Sequence, residues 1–291
     1  MGYMVCGIIL SGGMSRRFQS PGEAWVDKAL FPIDGIPMIL RIYRELRKIS
    51  NHVIIASGSL DRARVYRDVV GDAVFVKDIE GLVGPLSGLL SALYACQSDI
   101  AVAVPVDMPY ISADLLKHMI RGTGDFDVVS PVLPNGLVET AVIAVVRDSA
   151  IAVLERLRGL GRTRIADLHR GAPKVQLIDI KKHGYDPRVI VNINRRSDIG
   201  KAVSYPEGPI NGDIEIIRDF DVKDLAGTPR ERLRGSLWWT IETGDPYEEL
   251  RIYLSRGAYM LAAYALQDSS NIFEKYIAEA LLDMIYRDIN I

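Results

Sequence analysis

Cysteine and histidine are scarce in this 291-residue chain, which has two cysteines, Cys6 and Cys96, and four scattered histidines. Two cysteines are too few for a disulfide framework, and neither residue type shows the clustered spacing of a metal site. We therefore expect both cysteines to be buried, unpaired small side chains. Disulfide-stabilised domains and centres built on histidine or cysteine are disfavoured.

Long apolar runs and charge of one sign are also missing. No apolar stretch approaches the roughly 18 residues that span a bilayer, and residues 1–10 lack the basic start of a signal peptide. The 35 lysines and arginines nearly balance 37 acidic residues, with a formal charge of -2 and no long block of either sign. We expect a cytoplasmic protein that binds neither nucleic acid nor a membrane surface and that binds any anionic ligand in a local pocket.

Short apolar runs alternate with amphipathic segments over the first two thirds of the chain. The runs predict strands at 5–10, 53–56, 73–76, 100–104, 128–131 and 138–146. Apolar residues at three and four spacing predict helices at 38–48, 62–70, 86–96, 113–121 and 149–158. This order predicts an α/β fold, a doubly wound and mostly parallel sheet, in which ligands bind at the carboxyl ends of the strands.

The pattern changes near residue 205. A stretch rich in proline and glycine, 204–213, predicts a linker between a first domain, 1–204, and a C-terminal extension, 205–291. In the extension we expect a short strand at 214–217 and a helical hairpin formed by 247–266 and 271–289. The aromatic stripes of these helices predict packing against the first domain, a homo-oligomer contact or a protein partner.

A glycine-rich loop follows the first predicted strand. It reads Ser11-Gly12-Gly13-Met14-Ser15-Arg16-Arg17 and is followed by Asp27-Lys28-Ala29-Leu30. Glycines let successive N–H groups approach a phosphate closely, and Arg17 and Lys28 can offset the charge of a triphosphate. The spacing matches neither the P-loop nor the dinucleotide fingerprint. The loop therefore predicts a different polyphosphate site.

Asp107 ends another apolar run, Val102-Ala103-Val104-Pro105-Val106. An aspartate at the carboxyl end of a strand, beside a triphosphate, can hold a Mg²⁺ ion that bridges the phosphates. The alternative is a turn former before the helix that starts near Ser112. Together with the glycine-rich loop, Asp107 is the candidate metal ligand.

The motifs occur in an order that resembles the molybdenum cofactor guanylyltransferases, which are nucleotidyltransferases with a Rossmann-like fold. The resemblance covers about residues 5–200. It rests on Leu10 to Arg17, Asp27 to Leu30, Gly84-Pro85-Leu86-Ser87-Gly88-Leu89, Val104 to Pro109 and Asn192-Ile193-Asn194.

The resemblance implies a role for each matching residue. Leu10, Ser11 and Gly12 would hold the guanine and form the start of the phosphate loop. The triphosphate would run along Gly13 and Arg17, and its phosphates would contact Lys28. Asp78 would lie at the nucleotide, Asp107 would bind Mg²⁺ and phosphate, and Asn192 and Asn194 would face the acceptor. The implied reaction transfers GMP from GTP to molybdopterin and releases pyrophosphate, with Arg17, Lys28 and Asp107 as its catalytic residues.

Three departures from the family pattern leave the base and the acceptor open. At one position, this chain has Ala56-Ser57 where the family has an asparagine. The loop at residues 19–26 is longer than in the family and contains Trp25. The usual threonine, proline, glutamate, aspartate run is replaced by Arg195-Arg196-Ser197-Asp198. Glu139, after the Pro134-Asn135-Gly136 turn, is a further candidate for polar acceptor groups. The alternatives are a cytidylyltransferase for the same cofactor, a cobinamide-phosphate guanylyltransferase, a sugar-phosphate nucleotidyltransferase, or a non-catalytic GTP-binding protein that docks a partner.

Overall fold

The computed structural model describes residues 4–13, 16–19 and 25–287. The strands are β1 (Val5–Leu10), β2 (Pro32–Ile33), β3 (Ile36–Pro37), β4 (His52–Gly58), β5 (Val74–Lys77), β6 (Ile100–Pro105), β7 (Val128–Val132), β8 (Ile143–Val146), β9 (Lys174–Asp179) and β10 (Ile214–Ile217). The helices are α1 (Met38–Arg47), α2 (Leu60–Val70), α3 (Pro85–Ala95), α4 (Ala113–Gly122), α5 (Arg147–Gly159), α6 (Ala166–Gly171), α7 (Leu237–Thr243), α8 (Tyr247–Arg256), α9 (Tyr259–Gln267) and α10 (Ile272–Arg287).

Within the described ranges, eight strands form one sheet in the order β10-β9-β7-β8-β6-β1-β4-β5, and β2 and β3 form a separate pair. β1 lies in the middle, parallel to β4 and β6. β8 and β10 run against their neighbours, so the sheet is mostly parallel. Every residue of β1 is buried, as expected of a strand covered by helices on both faces. The predicted fold class is confirmed.

The register of the central strands creates the edge at which a ligand can bind. Leu10, the last residue of β1, pairs with Ala56 on one side and with Pro105 on the other. The main chain continues this alignment beyond the strands, because Ser11 N donates to Ala56 O and Val106 N donates to Leu10 O, both at 2.9 Å. The loops after β1, β4 and β6 therefore begin side by side.

Several elements differ from the predictions. α6 and β9 were not predicted. β8 is shorter than the predicted 138–146 strand because residues 134–142 form turns, with an isolated bridge between Val132 and Val138. The first helix of the predicted hairpin is broken into α8 and α9. Gly257 ends α8 with φ of +80°, a left-handed conformation that favours glycine and turns the chain.

The cysteine prediction was wrong in one respect. Cys6 and Cys96 are buried as expected, but they are joined as a disulfide rather than unpaired. Cys6 lies in β1 and Cys96 directly follows α3, so the parallel crossover brings together two residues that are 90 positions apart. The sequence contains no local spacing that could have indicated this pair.

The C-terminal segment is joined to the sheet and to α6. β10 pairs with β9 along the sheet edge. The fully buried Arg170 of α6 contacts Glu249 of α8 at 2.7 Å, Asp268 at 2.7 Å and Asp167 at 2.9 Å. A buried guanidinium needs such partners, because an unpaired charge in the interior is very costly. The division at residue 204 stays a prediction.

The surface of α10 carries apolar side chains that lie in water. Phe273, Tyr276 and Ile277 are all more than half exposed. An oligomer or a protein partner at this face stays a prediction. No helix in the described part of the chain combines the length and the apolar character that a membrane span requires.

Candidate active site

A cavity of about 300 Å³ opens beside the carboxyl ends of β1, β4 and β6, and we name it the strand-end cavity. Its walls contain every predicted nucleotide-binding residue except Arg17. These are Leu10, Ser11, Gly12, Gly13, Lys28, Asp78 and Asp107, together with Asp27, Ala56, Gly84, Pro85, Gly88, Pro105, Val106 and Ala141. Met14 and Ser15 of the glycine-rich loop lie outside the described residues.

Glycines allow the walls of this cavity to pack closely. A Cβ atom on Gly58 would lie 3.2 Å from the Cα of Gly12, and Gly58 has φ of +74°. A Cβ on Gly88 would lie 3.0 Å from the Cβ of Ala56. Both positions require glycine for space, and Gly58 requires it for conformation as well. The backbone at Gly12 therefore packs directly against the backbone at Gly58.

Lys28 and Asp107 form an ion pair in the cavity wall. Asp27 caps the turn that carries Lys28, since its Oδ1 accepts a hydrogen bond from Ala29 N at 3.0 Å. The turn directs Lys28 Nζ to Asp107 Oδ2 at 2.9 Å, and the two side chains are only 10% and 23% exposed. The pair places one positive and one negative group at the same point of the wall. A phosphate with a bound metal ion also presents both charges, so the lysine can face the phosphate and the aspartate can face the metal.

A buried tyrosine joins the glycine-rich loop to the Asp27 turn. Ser11 Oγ donates to the hydroxyl of Tyr66 at 3.1 Å, and this hydroxyl donates to Asp27 Oδ2 at 2.8 Å. Arg62 donates to Ser11 O at 3.2 Å and lies 3.5 Å from the same Asp27 oxygen. Burial is the main cause that raises the pKa of Tyr66 well above its usual value. Sequence reasoning missed Tyr66, because an aromatic residue on the apolar face of a helix is typical of core packing.

Asp78 follows β5 and faces the glycine-rich loop. Burial raises the pKa of its carboxyl above the usual value, and the nearby charge of Arg62 acts in the opposite direction. A Cβ on Gly12 would be 3.7 Å from both carboxylate oxygens of Asp78. Asp78 therefore lies in the wall of the strand-end cavity, and its role at a nucleotide stays a prediction.

The acidic groups of this cavity suit a metal that is held mainly by its substrate. No group of three or more histidines, cysteines, aspartates or glutamates arranged for a metal occurs in residues 4–13, 16–19 and 25–287. Mg²⁺ in nucleotide enzymes takes one or two protein carboxylates and completes its shell with phosphate oxygens and water. Asp107, with one oxygen bound to Lys28, fits that donor set.

A second cavity of about 340 Å³ contains the three predicted site residues that do not line the strand-end cavity, and we name it the asparagine cavity. Arg17, Asn192 and Asn194 all line it. The structure places Arg17 in the wall of this cavity, and its expected contact with the triphosphate stays a prediction. The remaining wall is mostly apolar and consists of Leu133, Leu137, Glu139, Pro187, Ile190, Val191, Val203, Ser204, Pro206 and Tyr286.

The main chain joins the two cavities at Asp107. Ile193 N, between the two asparagines, donates to Asp107 O at 2.8 Å. Glu139 makes a second connection, because its carboxylate accepts from Asn192 Nδ2 at 3.3 Å and from the backbone of Ala141, a strand-end cavity residue, at 3.1 Å. A group in the asparagine cavity therefore lies next to the wall that carries Lys28 and Asp107.

A family model for the MobA-like NTP transferase domain matches residues 7–174, more than half of the chain. The chain belongs to this family. A probable molybdenum cofactor guanylyltransferase from Pyrococcus horikoshii is 34% identical over 197 residues, which cover 66% of this chain and 95% of that protein. A molybdenum cofactor guanylyltransferase from Shewanella frigidimarina is 25% identical over 64% of this chain and 89% of its own length.

Solved structures agree on the fold. The molybdopterin-guanine dinucleotide biosynthesis protein A of Archaeoglobus fulgidus superposes with a TM-score of 0.55 at 20% identity, covering 67% of this chain and 94% of that one. A nucleotidyl transferase from Methanothermobacter gives a TM-score of 0.53 at 21% identity, covering the same shares. Membership of the MobA-like family makes this chain a nucleotidyltransferase.

One departure from the family pattern, Ala56, lies in the wall of the strand-end cavity. The adjacent Ser57 hydroxyl donates to Ser59 O at 2.9 Å. The long loop after Phe18 is closed by a pair of hydrogen bonds between the side-chain amide of Gln19 and the backbone of Val26, each 2.9 Å. Residues 20–24 of that loop are outside the described part of the chain.

Glu139 has an unusual protonation behaviour in this site. Burial raises the pKa of its carboxyl to about 7, and the negative charge of Asp107 adds to this shift. The hydrogen bonds from Ala141 and Asn192 act in the opposite direction. Near neutral pH the group is therefore close to its titration midpoint.

Proposed function

We propose that this MobA-like transferase moves GMP from GTP to the terminal phosphate of molybdopterin and releases pyrophosphate, with Mg²⁺ as its metal. The observation that carries the proposal is the hydrogen bond from Ile193 N to Asp107 O, which places the asparagine cavity directly beside the strand-end cavity. The curated names of the relatives support the choice of guanine nucleotide and molybdopterin.

The strand-end cavity would take the nucleotide. Leu10, Ser11 and Gly12 would border the base and the start of the phosphate chain, and the backbone N–H of Gly13 would continue along the phosphates. Lys28 would offset the charge that develops on the departing pyrophosphate. Mg²⁺, bound by Asp107 and the phosphates, would supply further charge neutralisation.

The asparagine cavity would take the acceptor. Asn192 and Asn194 offer amide groups to its polar atoms, and Arg17 offers a cation to its phosphate. A phosphate group is already largely deprotonated near neutral pH, so it needs orientation toward the α-phosphorus rather than a general base. The two adjoining cavities would provide that orientation.

The proposal is tested by incubating the purified chain with Mg²⁺, molybdopterin and GTP labelled at the α-phosphate. We expect a labelled molybdopterin-guanine dinucleotide and one pyrophosphate per product. Asp107→Asn is expected to reduce turnover by about 100-fold or more, because it removes the charge that holds the metal. Binding of GTP, followed by calorimetry, should change far less.

The matched control is Asp61→Asn, since Asp61 is an exposed aspartate in the first turn of α2. It should retain the turnover of the original chain. Transfer from CTP in place of GTP would contradict the assignment of the base. Product formation only with a different phosphorylated acceptor would contradict molybdopterin, and full activity of Asp107→Asn would remove Asp107 from the mechanism.

A further inference from the structure

The C-terminal helix α10 contributes a side chain to the asparagine cavity. Tyr286, near the end of α10, lines this cavity together with Arg17, Asn192 and Asn194. The family model ends at residue 174, and α10 starts almost a hundred residues later. A part of the acceptor cavity is therefore built by a segment outside the domain that defines the family.

The contact between α10 and the cavity wall is anchored by buried hydrogen bonds. Asn135, in the turn between β7 and β8, donates its side-chain amide to Ile285 O at 3.0 Å and is 7% exposed. Its Oδ1 accepts from Leu137 N at 3.3 Å. Gly136 O of the same turn accepts from Met260 N of α9 at 3.2 Å. The turn that carries Leu137 and Glu139 is thus held to α9 and α10.

The orientation of Tyr286 leaves its ring available to a ligand. Its hydroxyl lies 3.6 Å from Met260 Sδ and 3.5 Å from the hydroxyl of Tyr264, both on α9. Since the hydroxyl has these partners, the ring is the part that can border the cavity. Tyr286 and Glu139 both line the asparagine cavity.

The chemistry of the asparagine cavity suits a flat heterocycle that carries an anionic group. Leu133, Leu137 and the Tyr286 ring provide apolar and aromatic surface. Glu139 provides a hydrogen-bond acceptor, and Arg17 provides a cation. Aromatic rings stack on planar heterocycles, and a carboxylate accepts hydrogen bonds from ring N–H and amino groups.

We propose that Tyr286 packs its ring against the heterocycle of the acceptor, so that the C-terminal extension completes the acceptor site and takes part in acceptor recognition. This inference rests on the proposed function, because that function assigns the acceptor to the asparagine cavity. Loss of the ring should weaken acceptor binding and leave the nucleotide site unchanged.

The experiment compares steady-state kinetics of the full chain and the variant Tyr286→Ala, with molybdopterin and GTP varied separately. We expect the KM for molybdopterin to rise at least tenfold and the KM for GTP to stay within twofold. Tyr286→Phe keeps the ring and should restore the KM for molybdopterin, since the hydroxyl faces α9. A general loss of structure would change both KM values and would not be rescued in this way.

The control is Tyr276→Ala on the same helix, which removes a ring of the same type that is 61% exposed. Ten residues separate the two positions, so they lie about 15 Å apart along the helix axis. Its KM for molybdopterin should match that of the original chain. If Tyr286→Ala lowers the melting temperature by more than about 5 °C, Tyr286→Leu, which keeps apolar volume without a ring, replaces it in the comparison.

The outcomes separate this inference from the proposed function. An original chain that forms the dinucleotide, with an unchanged KM for molybdopterin in Tyr286→Ala, overturns the role of Tyr286 and leaves the proposed function in place. An original chain that forms no dinucleotide from GTP and molybdopterin overturns both. An equal rise of the KM values for both substrates would show a structural effect and would also overturn the inference.

Discussion

Lys28 Nζ lies 2.9 Å from Asp107 Oδ2, and this contact closes one side of the strand-end cavity. The two residues are 79 positions apart, and they meet because a short capped turn and the loop after β6 face each other across the end of β1. In the absence of substrate, each group supplies the charge that the other needs. A phosphate with its metal would provide new partners for both.

Replacing Lys28 tests the positive half of this pair. We expect Lys28→Met to lower kcat/KM for GTP by about 100-fold, because a cation next to the phosphates stabilises the charge that develops during transfer. Steady-state rates of pyrophosphate release provide the measurement. Lys117→Met, at an exposed lysine of α4, should leave the rate unchanged. A Lys28 variant with more than a third of the original kcat/KM would contradict the assigned role.

Tyr66 is predicted to support the glycine-rich loop. Tyr66→Phe removes the hydroxyl that links Ser11 to Asp27, which leaves buried polar groups without a partner. The free energy of unfolding should fall by about 1–3 kcal/mol, and the KM for GTP should rise because Ser11 loses its fixed position. Urea denaturation measures the first effect. Tyr43→Phe is the control, because it removes an exposed hydrogen bond to Asp72 O and should lower the unfolding free energy less. Equal losses of unfolding free energy in both variants would contradict the role assigned to Tyr66.

The ion pair between Arg170 and Glu249 is predicted to hold the C-terminal segment to α6. Glu249→Gln removes one of the three carboxylates around the buried Arg170 guanidinium and leaves Asp167 and Asp268 in contact, which should cost about 1.5–3 kcal/mol of unfolding free energy. The control is Glu248→Gln, the next residue, whose pair with Arg251 lies in water and should contribute about 0–1 kcal/mol. Chemical denaturation of both variants at one pH gives the comparison. Similar losses of unfolding free energy in the two variants would mean that the buried pair stabilises the fold no more than the exposed pair does.

Glu139 predicts a dependence of stability on pH. Its pKa is raised from the usual 4.5 to about 7 in the folded chain. The folded chain therefore keeps a proton that the unfolded chain releases between these values. The stabilisation is fully present below pH 4.5 and is lost as the pH rises through 7, amounting to roughly 3 kcal/mol at most.

The measurement compares the original chain with Glu139→Gln by urea denaturation at several pH values. The unfolding free energy of the original chain should fall relative to that of Glu139→Gln by up to roughly 3 kcal/mol as the pH rises from 4.5 to 8, because glutamine resembles the protonated carboxyl and does not titrate. The comparison is needed because the buried His169, whose pKa is lowered to about 4, acts in the opposite direction between about 4 and 6.5 and is present in both chains. A difference that does not change with pH would exclude the shifted carboxyl.

Much of the sheet and of the strand-end cavity follows from the sequence alone. β1 and β10 have the predicted bounds, and most other strands and helices of the first domain differ by one or two residues. Continuous apolar runs between turns are a strong signal, because such strands must be buried on both faces. The cavity residues were found because glycines and charged side chains directly follow those strands.

The missed features depend on contacts between distant parts of the chain. α6 has only six residues, fewer than two helical turns, so it shows no clear apolar periodicity, and its buried Arg170 belongs to a type that is usually exposed. Arg170 can be buried because Glu249 and Asp268, far along the chain, neutralise it. Tyr286 likewise has no local pattern that would separate a cavity residue from a packing residue on an amphipathic helix.

The hydrogen bond between Ile193 N and Asp107 O has a thermodynamic consequence for the two substrates. Because it joins main-chain atoms, a ligand that shifts residues 192–194 also shifts the backbone that carries Asp107. We expect the substrates to bind with a shared coupling free energy: the factor by which the acceptor tightens GTP must equal the factor by which GTP tightens the acceptor. The order of arrival then affects only the path to the ternary complex, whose stability is the same by either route.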